Sequence, residues 1–141
     1  MTANSSPIVK LDIRRAASTG DGWIDVMGSN NEMYSYKYEG GNHPTRNDGS
    51  IQHIVNAGKA TITLNLIAAS VYRFGEIHFS GDDANQLTSA GNRENQRLIT
   101  NECTAKIDAH YKVWVTDTGR LDAGDCPVVL LCDPAIKNVK E

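Results

Sequence analysis

The reactive side chains of this 141-residue sequence are four histidines (His43, His53, His78, His110), three cysteines (Cys103, Cys126, Cys132) and 17 acidic residues. Structural zinc sites draw on closely spaced ligand pairs, and no Cys-x-x-Cys or His-x-His pair occurs. Nucleophilic catalysis needs a serine or cysteine beside a base and an orienting acid. No Gly-x-Ser-x-Gly elbow is present and the histidines are scattered. A small hydrolase with a spatially assembled site is therefore the weakest of three functional readings. One constellation stands out. Trp114, Lys112 and His110 are two residues apart, which places them on one face of a strand. An outward aromatic beside hydrogen-bonding groups can stack a sugar ring or anchor a partner. Trp114, His110 and Lys112 are accordingly the candidate ligand-binding residues, for a carbohydrate or another small ligand. The competing expectation is that a loop partly covers this face or that Trp114 packs between sheets.

Other motifs reduce to local structure. Asp117-Thr118-Gly119 is the tripeptide with which retroviral-type aspartic proteases bring two carboxylates to share one proton. Here Arg120 follows where a small residue is needed, and too little chain follows for a flap and a remaining core. The tripeptide is expected as a turn between strands. Gly58-Lys59-Ala60-Thr61 has the look of a phosphate-binding loop's tail. The first glycine of such a loop would fall at position 53, which is His53, and Thr61 enters a strand instead of a helix. Asp117, Asp122 and Asp125 fit no calcium-loop spacing and are expected as solvated turn carboxylates. No metal and no cofactor is expected. Cys132 shares a strand face with Val128 and Leu130 and is expected in the core.

The elements that must position these residues are strands. Val, Ile and Thr together far outnumber Leu, which favours a pleated sheet over helices. Gly, Asn, Asp and Ser make up almost a third of the chain and supply turns. Alternation over Ile8–Arg14 puts Val9, Leu11 and Ile13 inward. Trp23–Met27 and Ser50–Val55 read as short strands. Met33–Tyr38 sets Tyr34, Tyr36 and Tyr38 on one face, expected to be core. Lys59–Ile67 alternates, and Tyr72–Phe79 is a strand with a bulge at Gly75 and His78 outward. Gly81–Asn101 reads as the least structured part, with one helix-compatible piece, Arg93–Ile99. Thr104–Thr116 is the strongest strand, with Ile107, Ala109, Tyr111, Val113 and Val115 on one face. Asp117–Asp125 reads as a turn. Pro127–Cys132, apolar on both faces, reads as an interior strand ended by Asp133-Pro134. Seven or eight strands so spaced make an all-β, immunoglobulin-like antiparallel β-sandwich, with residues 1–141 as one domain.

Composition removes whole classes of function. Net charge is −3 and the 14 Lys and Arg form no run, so no nucleic-acid partner is expected. No apolar stretch approaches the ~20 residues of a membrane-spanning helix, so no membrane partner is expected. An odd cysteine count and the lack of a signal pattern lead to an expectation of a cytoplasmic protein with free thiols; a Cys126–Cys132 bridge is disfavoured.

The run Cys132-Asp133-Pro134-Ala135-Ile136-Lys137-Asn138, following a strand, resembles the tail of the bacterial DP-EP family. With the chain length and strand pattern it is also similar to the PixA/AidA inclusion-body proteins. That resemblance implies an intracellular bacterial protein with an immunoglobulin-like sandwich and no known catalytic residues; no site residue transfers. The leading expectation is thus a non-enzymatic β-sandwich acting by self-association, as a homo-oligomer, or by protein binding. The carbohydrate or small-ligand module using the Trp114 face comes second.

Overall fold

A computed structural model describes residues 4, 6–18, 20, 22–42, 47–82, 86–93, 95–132 and 135–139, with the backbone alone for 82, 92, 110 and 135–139. Among these residues the chain forms eleven strands and two facing sheets. The strands are β1 (Ile8–Arg14), β2 (Ile24–Met27), β3 (Met33–Gly40), β4 (Ile51–Ile54), β5 (Ala60–Leu66), β6 (Tyr72–Asp82), β7 (Leu87–Arg93), β8 (Gln96–Asn101), β9 (Ile107–Leu121), β10 (Pro127–Cys132) and β11 (Ala135–Val139). The first sheet runs β2-β3-β1-β5-β8-β7. The second is organised on β9. One side of β9 pairs with β6, and the other with β11 and then β10, while β4 extends the sheet beyond β11.

The core follows the period-2 pattern. Val9, Leu11 and Ile13 of β1 and Ile62, Leu64 and Leu66 of β5 face Ile107, Ala109, Tyr111, Val113 and Val115 of β9, all of them buried. The tyrosine stripe of β3 is core, as expected, and its polar ends are satisfied. Tyr38 donates to the carbonyl of Cys132 at 3.1 Å and Tyr34 to Asp117 at 2.7 Å. Tyr36, Tyr38 and Tyr111 stack edge-to-face with centroids 5.8 and 6.2 Å apart, each contact worth about 1 kcal/mol beyond burial. Cys132 is buried, and none of the three cysteines is in a disulfide. Phe74 and Ile77 bracket a register shift, so β6 carries the bulge expected at Gly75.

Several expectations are corrected. The all-β sandwich is present, but with eleven strands, and two pairings are parallel: β1 with β5 and β11 with β4. The described residues of Gly81–Asn101 are mostly strand, and those of Arg93–Ile99 form no helix. β6 continues to Asp82, and β7 and β8 form a hairpin that adds to β5. Ile99, buried on β8, is paired with Ile62, and this pairing overrides the local helix preference. The segment looks polar because β7 is an edge with most of its side chains in water. β10 is also an edge and not an interior strand; its second apolar row, Val129 and Leu131, lies on the outer face. Residues 133 and 134 lie outside the described set, but the chain beyond them is β11, inserted between β9 and β4. No helix is long and apolar enough to cross a membrane among the described residues.

Candidate functional site

Three groupings of side chains and one length of bare backbone could carry function. The first is the outer face of β9. Trp114 alternates with fully buried Val113 and Val115 and is half-buried on the opposite face, beside half-buried Lys112. The third residue singled out there, His110, pairs with Ser80 and Ala135 through its backbone, and its side chain lies outside the described set. The structure adds residues that spacing along one strand does not reveal. His78, in register with Lys112, meets Trp114 edge-to-face at 5.1 Å and holds Glu76 at 2.8 Å. Leu131 of β10 is in register with Trp114 and Val129 with Thr116. Trp114 thus sits in an apolar strip bordered by a histidine and a lysine.

The second grouping is built on Asp117, which is fully buried. β9 does not turn at Asp117-Thr118-Gly119 but runs on to Leu121, and Asp117 continues its inward row. The expectation of a solvated turn carboxylate is overturned for this residue. Arg15 donates from Nε to Oδ2 at 2.9 Å and from Nη2 to Oδ1 at 2.7 Å. Tyr34 donates to Oδ2 and the Gly119 amide to Oδ1 at 3.0 Å. Burial pushes the Asp117 carboxyl up, but these hydrogen bonds and the guanidinium charge outweigh it and hold it below its ordinary value. Burial and the neighbouring carboxylate push the Tyr34 phenol up to about 12, so it stays a neutral donor. The carboxylate accepts from Arg15, Tyr34 and the Gly119 amide, with no second carboxylate among these partners; it is a cross-sheet tie, with no proton to share. Asp122 and Asp125 do lie in the turn before β10, where Asp122 caps the Gly124 and Cys126 amides at 2.9 and 3.1 Å. No cluster of metal-ligating residues occurs among the described residues.

The third grouping is His53, Asn101 and Cys103. His53 is fully buried, and its Nδ1 lies 3.0 Å from Asn101 Nδ2. Asn101 accepts from the Cys103 amide at 3.2 Å, and its carbonyl from the thiol at 3.4 Å. Burial pushes the Cys103 thiol up. A nucleophilic cysteine needs the opposite shift and solvent access. The residue types are those of a cysteine hydrolase; their environment is that of a core.

The bare backbone is the set of sheet edges, which are natural templates for another strand. Most are blocked. On β4, Asn42 Oδ1 takes the Gln52 amide at 2.8 Å, and Asn4 takes the Ile54 amide at 2.8 Å while donating to the Ile54 carbonyl at 2.9 Å. On β10, the Ser29 hydroxyl takes the Val129 amide at 2.9 Å and the Ser29 amide donates to the Val129 carbonyl at 3.1 Å. β2 is only four residues long. β6 is broken by its bulge, carries Arg73, Glu76 and His78, and its Phe74 carbonyl accepts from Arg97 at 3.4 Å. β7 differs. From Leu87 to Ala90 it is regularly paired to β8 on one side, and no described residue hydrogen-bonds its other side. Thr88, Ser89, Ala90 and Gly91 are all exposed and none is charged. Only the register shift between Ala90 and Arg93, with Gly91 at φ 95°, interrupts its far end.

No family model matches the chain, and no curated protein matches it. Among solved structures it is similar to an inclusion body protein, PixA, from Burkholderia cenocepacia J2315, at 6% identity and a TM-score of 0.44, over 100% of this chain and 97% of that one.

Proposed function

We propose that the protein is a non-catalytic β-sandwich that associates with a second copy of itself through the outer edge of β7. The observation that carries this reading is the contrast between edges. Asn4, Asn42 and Ser29 spend side-chain hydrogen bonds on closing β4 and β10, whereas Thr88–Gly91 has neither a cap nor a charge. Edges that must stay single are normally closed by charge, proline or cover. Two β7 strands meeting antiparallel would extend the six-stranded sheet across both copies without bringing like charges together. So short a junction makes a small interface, and small interfaces are weak and reversible. The test is absolute mass by light scattering behind size exclusion over a wide concentration range, for the wild type and for the S89K/A90K variant. Growth from 15.4 kDa toward twice that mass in the wild type alone supports the reading. A monomer at every concentration, or equal growth in the variant, overturns it.

A second reading keeps Trp114, His110 and Lys112 as a surface for a carbohydrate or another small ligand. It is favoured by the apolar strip of Trp114, Leu131 and Val129 with His78 at its border. Trp114→Ala would then abolish glycan binding while leaving folding intact.

A further inference from the structure

Where β6 begins and β7 ends, a turn and a hairpin border an open cleft of ≈ 570 Å³. Its polar lining is Ser70 and Tyr72, Arg73 of β6, Arg93 of β7 and Asn95 of the β7–β8 turn, over an apolar floor that includes Leu66. The walls are anchored. The Tyr72 amide closes a turn onto the Ala69 carbonyl at 3.0 Å. Thr118 fastens that turn to β9 by donating its amide and hydroxyl to the Val71 carbonyl at 2.8 and 2.7 Å. The Leu66 amide fastens the hairpin by donating to the Asn95 carbonyl at 2.9 Å.

Among the described residues the charge of this lining is one-sided. Two arginines, a serine, a tyrosine and an asparagine line one volume, and no Asp or Glu lines it among the described residues; Glu94, between Arg93 and Asn95 in sequence, lies outside them. Guanidinium is a planar fork of five donors that matches the oxygens of phosphate or carboxylate, so an arginine with another contact still has donors to offer. The volume lies in the range of small-molecule sites. We propose that this cleft binds a small organic oxyanion, its phosphate or carboxylate group held by Arg73 and Arg93, with Ser70 and Asn95 as further hydrogen-bond partners and the remainder of the molecule over Leu66 and Tyr72. The cleft takes only Arg93 from β7, beyond the Thr88–Gly91 edge, and shares no residue with the Trp114 face, so its binding is testable on the monomer.

The test is isothermal titration calorimetry of the intact chain at low ionic strength with inorganic phosphate and, separately, with succinate. Sodium chloride at matched ionic strength serves as the control. The expected result is saturable one-to-one binding of one or both anions, weakened by at least about tenfold in the R73Q/R93Q variant. The tighter of the two identifies the head group. Should the double variant misfold, R93Q alone, at an exposed position, must show the loss. Absence of saturable binding to both anions, or equal affinity in the folded variant, overturns the proposal.

Discussion

Arg15, just past the end of β1, and Asp117, on the inward row of β9, form a two-pronged ion pair at 2.9 and 2.7 Å that ties the two sheets together. The carboxylate is fully buried while the Arg15 side chain is one-third exposed. The two partners are therefore not equivalent. Removing Arg15 strands a buried charge; removing Asp117 lets the guanidinium return to water but leaves Tyr34 without its acceptor.

Arg15→Met should destabilise the fold by about 3–5 kcal/mol at neutral pH, as breaking one partner of a buried pair does. Urea unfolding followed by circular dichroism measures it. Asp117→Asn should cost less, since it leaves no buried charge. Equal and negligible losses in both variants would mean that the pair is worth little to the fold.

The same pair sets the acid limb of stability. Because the folded carboxyl lies below its ordinary 3.8, its contribution is full above that value and is lost as pH falls through the folded pKa. Without Arg15 the upward push of burial dominates. The gap between wild type and Arg15→Met should therefore narrow as pH falls, and unfolding midpoints between pH 2 and 7 would show it.

The alkaline limb has the opposite logic. Burial raises the Tyr34 phenol from 10.0 to about 12, and raises Tyr72 and Tyr111 as well. A folded state that holds its phenol protons loses stability as pH rises above 10.0, where the unfolded tyrosines ionise first. Thermal midpoints should fall from pH 10 upward, and Tyr34→Phe should make that fall shallower.

Ser35 gives a test of the sign of a polar group. It is fully buried, and its hydroxyl is without a hydrogen-bond partner among the described residues. Ser35→Ala should be neutral or stabilise by up to about 1 kcal/mol, since it removes an uncompensated polar group. A clear loss of stability would show that the hydroxyl does have a partner.

Much of the fold was legible because alternation survives wherever a strand has one wet face. Val9, Leu11 and Ile13, the three tyrosines of β3, and Ile107 to Val115 all announced their inward rows. Two misread strands share a cause, which is that the two faces of each have one character. β7, wet on both sides, read as loop, and β10, apolar on both, read as interior. Asp117 was missed although a signal existed. Counting on by twos from Ile107 reaches Asp117 with no change of parity, but Asp and Gly together suggested a turn, and Arg15, the partner that makes a buried carboxylate tenable, lies 102 residues away. The Trp114 face was legible from one strand; His78 and Leu131, which complete it, depend on the register of β6 and β10. The open edge of β7 was invisible, because an edge is defined by the strand that is absent beside it.

Pairing of β7 with a second copy is tested by amide hydrogen exchange measured at low and at high protein concentration. Pairing predicts that outward amides within Thr88–Gly91 exchange more slowly at high concentration, while those of the capped β4 and β10 edges keep their rates. Rates at Thr88–Gly91 that are the same at every concentration, or slowing confined to another edge, would contradict it.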